Sequence, residues 1–556
     1  MKRRSFIKMG ASLWAVAPLT SLGFPLLNPL TLKKSDFQSA DPLQVLSGLS
    51  SFDFSSRDFN GDNIDRPHDI LWNIDGYIAK KGGLPAISAH YRNIVVGGGM
   101  SGLLSQYFLT KEQESLLLEQ DNVLGGNSRG EVYQNKAYSV GAAYVVVPDE
   151  GDDIETFFNE TGLTEQFRHE EASEVAVFFK NKVVNGFWDS STDPAAKAQF
   201  EKLNEILTDI LENKYPDIPA TEDSQMTRDE LNALDSISFE QWLNENLGPQ
   251  VHPHIKEFFQ LYAWSSFSGS MEEISAAQFL NFIASELTGI LALPGGNSKI
   301  TSTIYSKLQT NANSQIQSGA FVMRVKVLDN GKVSVLYENA EGQLVQVTCD
   351  KCIQACPKYV SKRVTEGLPE DQLKAMSDVT HRGYIVANIL LNTKISSPGY
   401  DLFNLKGTVP EAPRPLQPWD RTAIDMIFAD WAAHDEGDSS ILTIYRPLPF
   451  DGARQFLFNP VAHDKHRKQV LDDVAHLLPS LGLNNSNVAG IRLTRWGHSV
   501  PLSQKSWIAR GLPERISQPV DDKIYFVNQD NWANPAFETC FAEAKTWTDA
   551  ILNSQS

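Results

Sequence analysis

The sequence predicts an α/β protein with two domains, and three observations support this prediction. The chain has 556 residues, which exceeds the usual length of one domain. Hydrophobic residues make up 42% of it and charged residues 21%, a composition that supplies a globular core. A short apolar run, a glycine-rich turn and a helical pattern follow one another at residues 93–108, as in a unit of a parallel sheet.

The N-terminus resembles a twin-arginine export signal. Residues 2–8 read KRRSFIK, and a modestly apolar stretch extends from residue 9 to about residue 30. Three prolines and a glycine interrupt this stretch, which argues against a stable membrane span, and no other segment is long and apolar enough to cross a bilayer. We therefore expect residues 1–30 to direct the folded protein to the periplasm or beyond. A chance basic N-terminus is the alternative.

The charge balance limits the choice of partners. Lys and Arg number 49 and Asp and Glu number 68, so the net charge is −19. An acidic surface repels phosphate backbones, which argues against a nucleic-acid partner. It would also help a cationic substrate approach, but many soluble enzymes are acidic for solubility alone, and this is the favoured interpretation.

The glycine-rich turn at residues 97–102 has the arrangement of a dinucleotide-binding site. The apolar residues 93–96 (NIVV) predict a buried strand, and Gly97-Gly98-Gly99-Met100-Ser101-Gly102 matches G-x-G-x-x-G. Met100 and Ser101 open a helix that presents one apolar face. Leu116-Leu117-Leu118 forms a second strand that ends at Glu119.

Each part of this motif has a physical role. Gly97 permits the tight turn, Gly99 lets the backbone approach a pyrophosphate, and Gly102 lets the helix pack closely on the strand. The helix N-terminus offers N–H groups to the phosphates, and Glu119 can accept hydrogen bonds from the ribose. The ordered set predicts a Rossmann-like dinucleotide-binding domain. The competing interpretation is a glycine-rich surface turn.

A second glycine pair favours FAD over NAD. Residues 124–130 read LGGNSRG and place Gly125 and Gly126 just after the acid. This segment resembles the glutamate-then-Gly-Gly segment of the flavin amine oxidase superfamily, which binds the pyrophosphate and flavin end of FAD. Many relatives have arginine directly after the glycine pair. This chain has Asn127 there, and Arg129 could supply the missing charge.

Two later segments fit the same resemblance. Residues 294–297 (PGGN) precede a helical pattern at 300–308, and strand-like runs at 320–327 and 332–337 flank a turn. The resemblance implies that Val322 holds the adenine through its backbone. Residues 523–530 predict a strand ending in Asp530, which the resemblance assigns to the ribityl chain. The helix that follows would direct its N-terminus at the flavin pyrimidine ring, where its positive end stabilises reduced flavin.

The resemblance also implies a division of the chain. A lead segment at 31–90 would follow the signal. The Rossmann-like FAD-binding domain would comprise 91–150, 294–375 and 491–556, and an α+β substrate domain would comprise 151–293 and 376–490. The order of residues 294–297, 388–392 and 495–498 is most similar to that of bacterial spermidine dehydrogenase-type proteins.

The cysteines imitate an iron–sulfur motif. Cys349, Cys352 and Cys356 have the spacing C-x2-C-x3-C before a proline, but no fourth ligand is nearby, and Cys540 would have to be brought in by the fold. We therefore expect core residues on a strand returning to the FAD domain. His252 and His254 have no further partners at ligand spacing, so no metal site is predicted.

The substrate domain shows a helical half and a β-rich half. Patterns at 154–158, 200–211 and 255–262 predict amphipathic helices of a cap, and runs at 384–391, 441–445 and 455–458 predict strands beneath the substrate. His498 could serve as a catalytic base or orient the substrate, or it could be a packed histidine. Trp496 and Trp532 could enclose an amine cation or belong to the core.

We thus expect an exported FAD-dependent oxidoreductase that transfers a hydride from a substrate C–H bond to flavin N5. An amine is the leading small-molecule substrate, and oxygen or an envelope electron carrier would accept the electrons. A flavin-dependent desaturase or isomerase of an apolar polyene is one alternative. A non-catalytic exported protein that retains FAD is another.

Overall fold

A computed structural model describes seven parts of the chain: residues 59–172, 175–179, 181–185, 194–405, 424–433, 437–457 and 460–554. The predicted twin-arginine signal at 1–30 lies outside them. Within these parts, every helix is too short or too polar to span a bilayer.

The strands of the described residues, in chain order, are β1 (Asn60–Gly61), β2 (Ile87–Val96), β3 (Ser115–Leu118), β4 (Gly130–Tyr133), β5 (Lys136–Ser139), β6 (Tyr144–Val146), β7 (Arg168–Glu170), β8 (Ala176–Phe179), β9 (Lys182–Asn185), β10 (Ile290–Ala292), β11 (Ser314–Gln317), β12 (Phe321–Val327), β13 (Val333–Glu338), β14 (Leu344–Gln354), β15 (His381–Leu391), β16 (Asp401–Asn404), β17 (Asp425–Phe428), β18 (Ser440–Leu448), β19 (Val488–Pro501) and β20 (Ile524–Phe526). The α-helices are α1 (Asp65–Leu71), α2 (Ile74–Lys80), α3 (Met100–Thr110), α4 (Asp153–Thr161), α5 (Pro194–Asn213), α6 (Arg228–Asp235), α7 (Phe239–Leu247), α8 (Pro253–Phe267), α9 (Ala276–Ser285), α10 (Ser298–Gln309), α11 (Lys358–Val364), α12 (Glu370–Asp378), α13 (Pro460–Leu477), α14 (Leu512–Ser517) and α15 (Phe537–Asn553).

The first large sheet has seven strands and contains the predicted dinucleotide-binding unit. Its order is β11-β3-β2-β14-β13-β12, and β20 pairs with β14. The pairs β11–β3, β3–β2, β2–β14 and β14–β20 are parallel, whereas β12, β13 and β14 form antiparallel hairpins. Because β2, α3 and β3 follow in order, the predicted strand–turn–helix–strand unit is confirmed. All four residues of β3 are buried, as expected of a central parallel strand.

Helices α3 and α15 cover one face of this sheet. Phe108 of α3 meets Phe541 of α15 edge-on, with 5.3 Å between the ring centroids. Leu103, Leu104 and Ile353 belong to the same buried cluster. The C-terminal helix is thereby packed against the glycine-motif helix, although more than 400 residues separate them in the sequence.

The strand predicted at 523–530 is confirmed only at residues 524–526 and is wrong beyond them. Strand β20 ends at Phe526, and Asp530 lies in a short 3-10 helix, Gln529–Asn531. Strand β20 stops at Phe526 because its partner strand, β14, ends at Gln354, the residue opposite. The side chain of Asn528 then accepts a hydrogen bond from the Asp530 N–H at 3.0 Å and starts the turn.

The second large sheet has eight strands in the order β1-β19-β15-β18-β17-β16-β8-β9. The strands predicted at 384–391 and 441–445 are confirmed as parts of β15 and β18. The helices predicted at 154–158, 200–211 and 255–262 are confirmed within α4, α5 and α8. One large buried cluster joins this sheet to the helical cap, with Phe200, Phe258, Tyr262, Tyr384 and Leu402 among its members.

The strand predicted at 455–458 is wrong. Residues Ala453–Leu457 form a 3-10 helix, and residue 458 lies outside the described parts. Gly452 has φ +75°, which turns the chain after β18, and the Gln455 N–H then bonds to the Gly452 carbonyl at 3.1 Å. Residues 453–457 therefore form a helical turn, although their alternating pattern is typical of a strand.

The segment that precedes the glycine motif packs on both sheets. Strand β1 pairs in parallel with β19, opposite Thr494 and Arg495. Ile70 of α1 and Ile78 of α2 form a small buried cluster with Phe321, Met323 and Leu336 of the β12–β13 hairpin. Strand β2 begins at Ile87, so it extends six residues ahead of the apolar run at 93–96.

Candidate active site

A cavity of about 1010 Å³ lies between the two large sheets. This volume is at the upper end of the range for ligand pockets. Twelve of the fourteen residues predicted from the sequence line it: Gly97, Gly99, Met100, Ser101, Glu119, Gly126, Asn127, Arg129, Val322, Trp496, His498 and Asp530. The other two, Gly102 and Gly125, do not line the cavity, but each is next in the chain to a residue that does.

The three glycines of the G-x-G-x-x-G pattern, Gly97, Gly99 and Gly102, differ in what a side chain would meet. Gly97 has φ +105°, a conformation that favours glycine. A Cβ on Gly102 would lie 1.8 Å from the Gly97 carbonyl oxygen, which rules out any side chain there. A Cβ on Gly99 would meet only the Gly126 Cα, at 3.8 Å, so Gly99 opens space instead of filling it. The three geometries match the three roles predicted from the sequence.

The second glycine loop faces the first across this space. The Gly125 N–H bonds to the Gly98 carbonyl at 2.8 Å, and Gly99 and Gly125 form an isolated parallel bridge. Gly126 has φ +55°, and a Cβ on it would lie 3.0 Å from the Gly99 Cα. Two backbone loops without side chains thus form a cradle in which a pyrophosphate could contact peptide groups directly.

Two helix N-termini point at the cavity. Helix α3 begins after Gly99 and α15 begins after Ala536, and neither end has a side-chain cap. Met100, Ser101, Ala536 and Phe537 all line the cavity. Uncapped N–H groups and the positive ends of two helix dipoles favour a ligand that carries negative charge.

Glu119 lies at one end of the cavity. Its carboxylate accepts hydrogen bonds from the Gly98 N–H at 2.6 Å and the Asp121 N–H at 2.8 Å. Burial, followed by the neighbouring charge of Asp121, raises the pKa of Glu119 to about 7. A ribose would bring hydroxyl donors to a carboxylate that is otherwise costly to keep ionised.

The Arg129 guanidinium contacts four groups. Its guanidinium donates to the Gly126 and Gly61 carbonyls at 3.0 and 3.3 Å and lies 3.4 Å from the Asp121 carboxylate. It also lies over the Trp496 ring, 4.4 Å from the centroid. A fixed cation beside the glycine cradle suits the predicted role of Arg129 at the phosphates.

Asn127 links the second glycine loop to the second large sheet. Its side-chain amide donates to the Ser499 carbonyl at 3.1 Å and so ties the second glycine loop to β19. Thr301 of α10 ties the same loop from the other side through a bond to the Ser128 carbonyl at 2.9 Å. Asn297, from the predicted PGGN segment, lines the cavity and donates to the Tyr144 carbonyl at 3.1 Å.

Val322 lies in the wall near Glu119. The pairing of β12 with β13 shifts register between Val322 and Arg324, so the strand bulges at this point. The Ala320 N–H bonds to the Glu119 carbonyl at 2.7 Å and brings the two segments together. An adenine contact through the Val322 backbone remains a prediction.

Asp530 is almost completely buried and carries two bonds on one oxygen. Oδ2 accepts the backbone N–H of Lys358 at 2.8 Å and lies 3.1 Å from Nε2 of His381. Burial works to raise the pKa of Asp530, but His381 and Lys358 outweigh it and hold the pKa below its ordinary value. An ionised carboxylate is therefore available in the cavity wall for ligand hydroxyls.

His498 lines the cavity as part of an aromatic group. Its ring stacks on Tyr359 with 3.8 Å between centroids, and its Nε2 contacts the Arg454 guanidinium. Because arginine can only donate, Nε2 accepts, and burial together with Arg454 lowers the pKa of His498 to about 2. The histidine is therefore neutral, and its basic nitrogen is occupied. A role as catalytic base, which stays a prediction, would require Arg454 to move away.

The predicted tryptophan pair is separated by the fold. Trp496 lines the cavity, donates to the Val140 carbonyl at 3.0 Å, and presents a ring face to Arg129. Trp532 is outside the lining and donates to Glu543 at 2.6 Å. The two rings therefore do not enclose a common cation, and Arg129 already occupies one face of Trp496.

Comparisons with known proteins agree with this geometry. The family described as "NAD(P)-binding Rossmann-like domain" matches residues 95–161. The chain is 23% identical to "Oxidoreductase PigB" of Serratia sp. (strain ATCC 39006) over 491 residues, which cover 79% of this chain and 72% of that protein.

Solved structures extend the likeness to the fold. A variant of putrescine oxidase with redesigned cofactor binding superposes with a TM-score of 0.61 at 15% identity, covering 84% of this chain and 100% of that one. The chain has the flavin amine oxidase fold. A fatty acid isomerase from P. acnes that produces CLA also shares it, with a TM-score of 0.60 at 14% identity, covering 84% and 99%. The predicted α/β fold with a Rossmann-like domain is confirmed.

Three of the four cysteines are buried, Cys356 is half-buried, and Cys356 and Cys540 line the large cavity. Cys349 and Cys352 are buried on one side of the seven-stranded sheet, and Cys540 belongs to the cluster on the other side. All four cysteines are free thiols. Among the described residues, no three His, Cys, Asp or Glu side chains are grouped to hold a metal. His252 caps α8 through a bond from the His254 N–H.

Several cavity residues escaped the sequence prediction. Asp62 reaches the site from the lead segment and accepts the Gly497 N–H, and burial raises its pKa to about 6. Tyr359, His381 and Arg454 also line the cavity. The tyrosine follows the strand that carries the cysteines, and the other two belong to the predicted substrate domain. None of them lies in a glycine motif, and only the fold brings them to the cavity.

Proposed function

We propose that the protein is an FAD-dependent oxidoreductase. The observation that carries this proposal is the single cavity lined by two glycine loops and two uncapped helix N-termini. Glu119 would hold the ribose, the Gly99–Gly126 cradle with Arg129 the pyrophosphate, and Asp530 the ribityl chain. When bound, FAD would accept a hydride from a substrate C–H bond at its N5 atom.

The proposed substrate class is a small amine. This proposal is supported by the structural likeness to putrescine oxidase and by the net charge of −19, which favours the approach of cations. The residues of this chain would exclude water, orient the amine against the cofactor and keep His498 neutral beside it. Oxygen or an envelope electron carrier would take up the electrons.

A second candidate is an isomerase or desaturase of an apolar, unsaturated substrate. The likeness to the fatty acid isomerase favours it, because its TM-score nearly equals that of putrescine oxidase. The third interpretation is an FAD-containing protein without catalysis. The three make different predictions for the reduction of bound flavin.

The test is an anaerobic titration of the purified protein, after mass spectrometry has identified the released cofactor. The amine proposal expects FAD and bleaching of its visible absorbance by at least one amine of a panel. Conversion of a polyene or unsaturated fatty acid, with no bleaching by amines, would favour the second candidate. A protein that holds FAD but reacts with nothing supports the third. Protein that neither contains nor takes up flavin refutes the central proposal.

We also propose export through the twin-arginine pathway, on the sequence of residues 2–8 alone. In a bacterial host, the full chain should reach the periplasm with its flavin bound. Replacing Arg3 and Arg4 together by lysine should retain it in the cytoplasm without loss of flavin. Equal periplasmic yields from both forms would refute this proposal.

A further inference from the structure

Residues 60–72, here called the strap, cross the cavity from one large sheet to the other. At one end, β1 pairs with β19 of the eight-stranded sheet, and the Asp62 N–H bonds to the Arg495 carbonyl at 2.8 Å. At the other end, Ile70 of α1 is buried against the β12–β13 hairpin of the seven-stranded sheet. The strap is part of the cavity wall, to which it contributes Asp62, Ile64, Pro67, His68, Leu71 and Trp72.

The strap begins beside the glycine cradle. The Arg129 guanidinium donates to the Gly126 carbonyl at 3.0 Å and to the Gly61 carbonyl at 3.3 Å, so one side chain joins the cradle to the strap. The carboxylate of Asp62 then accepts the Gly497 N–H and holds the next strap residue against β19. The first strap residues therefore lie next to the position proposed for the pyrophosphate.

Arg66 fixes the middle of the strap at the adenosine end of the cavity. Its guanidinium donates to the carbonyls of Gln120 and Gly319, at 3.2 Å each, and to that of Glu338, at 3.1 Å. It also forms an ion pair with the Glu338 carboxylate at 3.3 Å. Gln120 follows Glu119, the acid proposed to hold the ribose. A planar guanidinium that binds several fixed acceptors at once is a rigid anchor, so the strap is held beside the adenosine end.

Helix α11 borders the same part of the cavity. Its first residue, Lys358, donates its backbone N–H to Asp530 at 2.8 Å. The residue after its last turn, Thr365, forms a parallel bridge with Val325 of β12, the strand at the adenosine end. Arg363, in the last turn, lines the cavity. The helix and the strap therefore both border the space proposed for the adenosine diphosphate half of FAD.

Trp72 and Arg363 connect the strap to α11. The guanidinium carbon of Arg363 lies 5.1 Å from the centroid of the Trp72 ring. Trp72 is 71% exposed and Arg363 is also exposed, yet both line the cavity. Side chains that contact solvent and also line a cavity lie at its opening. A cation–π contact at an exposed site is weak, so this contact can open while Arg66 keeps the strap in place.

We propose that the strap belongs to the cofactor site and that the Trp72–Arg363 contact is a gate over the adenosine diphosphate half of FAD. This inference rests on the proposed function, because FAD must be the ligand of the cavity. FAD would enter and leave only when the gate is open. A contact that forms with or without FAD favours neither state, so the gate sets the rates of binding and release and not the affinity.

Exchange of labelled FAD tests the gate. The full chain is loaded with isotopically labelled FAD and mixed with an excess of unlabelled FAD, and the label that stays bound is measured after rapid gel filtration. Trp72→Ala removes the ring, Arg363→Ala removes its partner, and the double variant removes both. Leu84→Ala is the matched control, because Leu84 is a 56% exposed apolar residue of the same lead segment and does not line the cavity.

We expect Trp72→Ala to release FAD at least fivefold faster and to bind it at least fivefold faster, so that Kd changes less than twofold. The double variant should match Trp72→Ala, because both substitutions break the same contact. Wild-type exchange in Trp72→Ala overturns the gate. Faster release without faster binding also overturns it, because that result shows a lost contact with FAD. Protein that never takes up FAD refutes the proposed function as well, whereas the other two results refute the gate alone.

The anchor of the strap should give a different result. Arg66→Gln removes the ion pair and the bonds to the three carbonyls, so the strap is no longer held beside the adenosine end. We expect the Kd for FAD to rise at least fivefold, with faster release and little change in the rate of binding. Circular dichroism confirms that the variant is folded. A wild-type Kd in folded Arg66→Gln overturns the assignment of the strap to the cofactor site.

Discussion

Nε2 of His381 lies 3.1 Å from Oδ2 of Asp530, and both side chains are nearly inaccessible to solvent. The backbone N–H of Lys358 binds the same oxygen at 2.8 Å. No hydrogen bond from a described residue reaches Oδ1. The aspartate is therefore oriented from one side and open on the other, which is the arrangement that a ligand-binding carboxylate requires.

This arrangement predicts graded effects on flavin binding. Asp530→Asn should weaken FAD binding at least tenfold, because an amide oxygen is a poorer acceptor than a carboxylate. His381→Gln should weaken it by a smaller factor, because the carboxylate remains but loses one support. Dissociation constants from fluorescence titration of the flavin-free protein measure both. A larger effect of His381→Gln than of Asp530→Asn would contradict the assignment.

Alanine substitutions at two of the motif glycines should have opposite effects, one on FAD binding and one on stability. Gly99→Ala should leave stability within about 0.5 kcal/mol, because its Cβ would meet only one atom, at 3.8 Å, but it should abolish FAD binding. Gly102→Ala should destabilise the protein by about 3 kcal/mol or more, because its Cβ would clash with the Gly97 carbonyl. Thermal unfolding and flavin content separate the two. Normal flavin content in Gly99→Ala would show that the cradle is misassigned.

The raised pKa of Glu119 predicts a pH-dependent stability of the flavin-free protein. Between its ordinary pKa of 4.5 and about 7, the folded state holds a proton that the unfolded state has lost. Stability should therefore fall as the pH rises through this window, by about 3 kcal/mol in total. Urea unfolding from pH 4.5 to 8 measures the fall. Asp62, whose pKa of about 6 is also raised, adds to the same trend.

Glu119→Gln is the control for that prediction, because glutamine keeps the size of the side chain and does not titrate. It should flatten the slope between pH 4.5 and 7 and leave the part due to Asp62. An unchanged slope in the variant would mean that Glu119 is ionised in the flavin-free protein.

The contact between Arg129 and Trp496 predicts that a positive charge at position 129 is not enough for full FAD affinity. Arg129→Lys should lower FAD affinity about tenfold, because lysine cannot reproduce the planar contacts to two carbonyls and an indole ring. Trp496→Phe keeps a ring face but loses the bond to the Val140 carbonyl, so it should cost about 1 kcal/mol of stability with a smaller loss of affinity. If Arg129→Lys binds FAD normally, the guanidinium geometry is unimportant.

The sequence predicted the strand–turn–helix–strand unit of the glycine motif because the parts of that unit are local. A strand, three glycines, a helix and an acid act through neighbouring backbone, and each glycine is at the place where a side chain would clash or block. Asp530 lines the cavity, although its strand was predicted too long, and its contact with a ribityl chain stays a prediction. Chain pattern alone does not show where a partner strand ends.

The cavity residues that lie outside the glycine motifs could not be predicted from local pattern. Tyr359, His381 and Arg454 are brought together by the packing of two sheets, and no spacing in the sequence links them. The two tryptophans show a second limit of pattern. Trp496 and Trp532 were considered together because both precede or follow the last FAD segment, but only Trp496 lines the cavity.

The C-terminal elements β20 and α15 pack against β14 and the glycine-motif helix α3. This has a consequence for biosynthesis. The ribosome makes the glycine motif early, but it completes Asp530 and the N-terminus of α15 only within the last thirty residues of the chain. At typical rates of 5–20 residues per second, this closing segment emerges about 20 to 90 seconds after the motif. Until then, Asp530, Ala536 and Phe537 are missing from the cavity wall. We therefore expect flavin capture to follow the synthesis of Asp530 and of the N-terminus of α15.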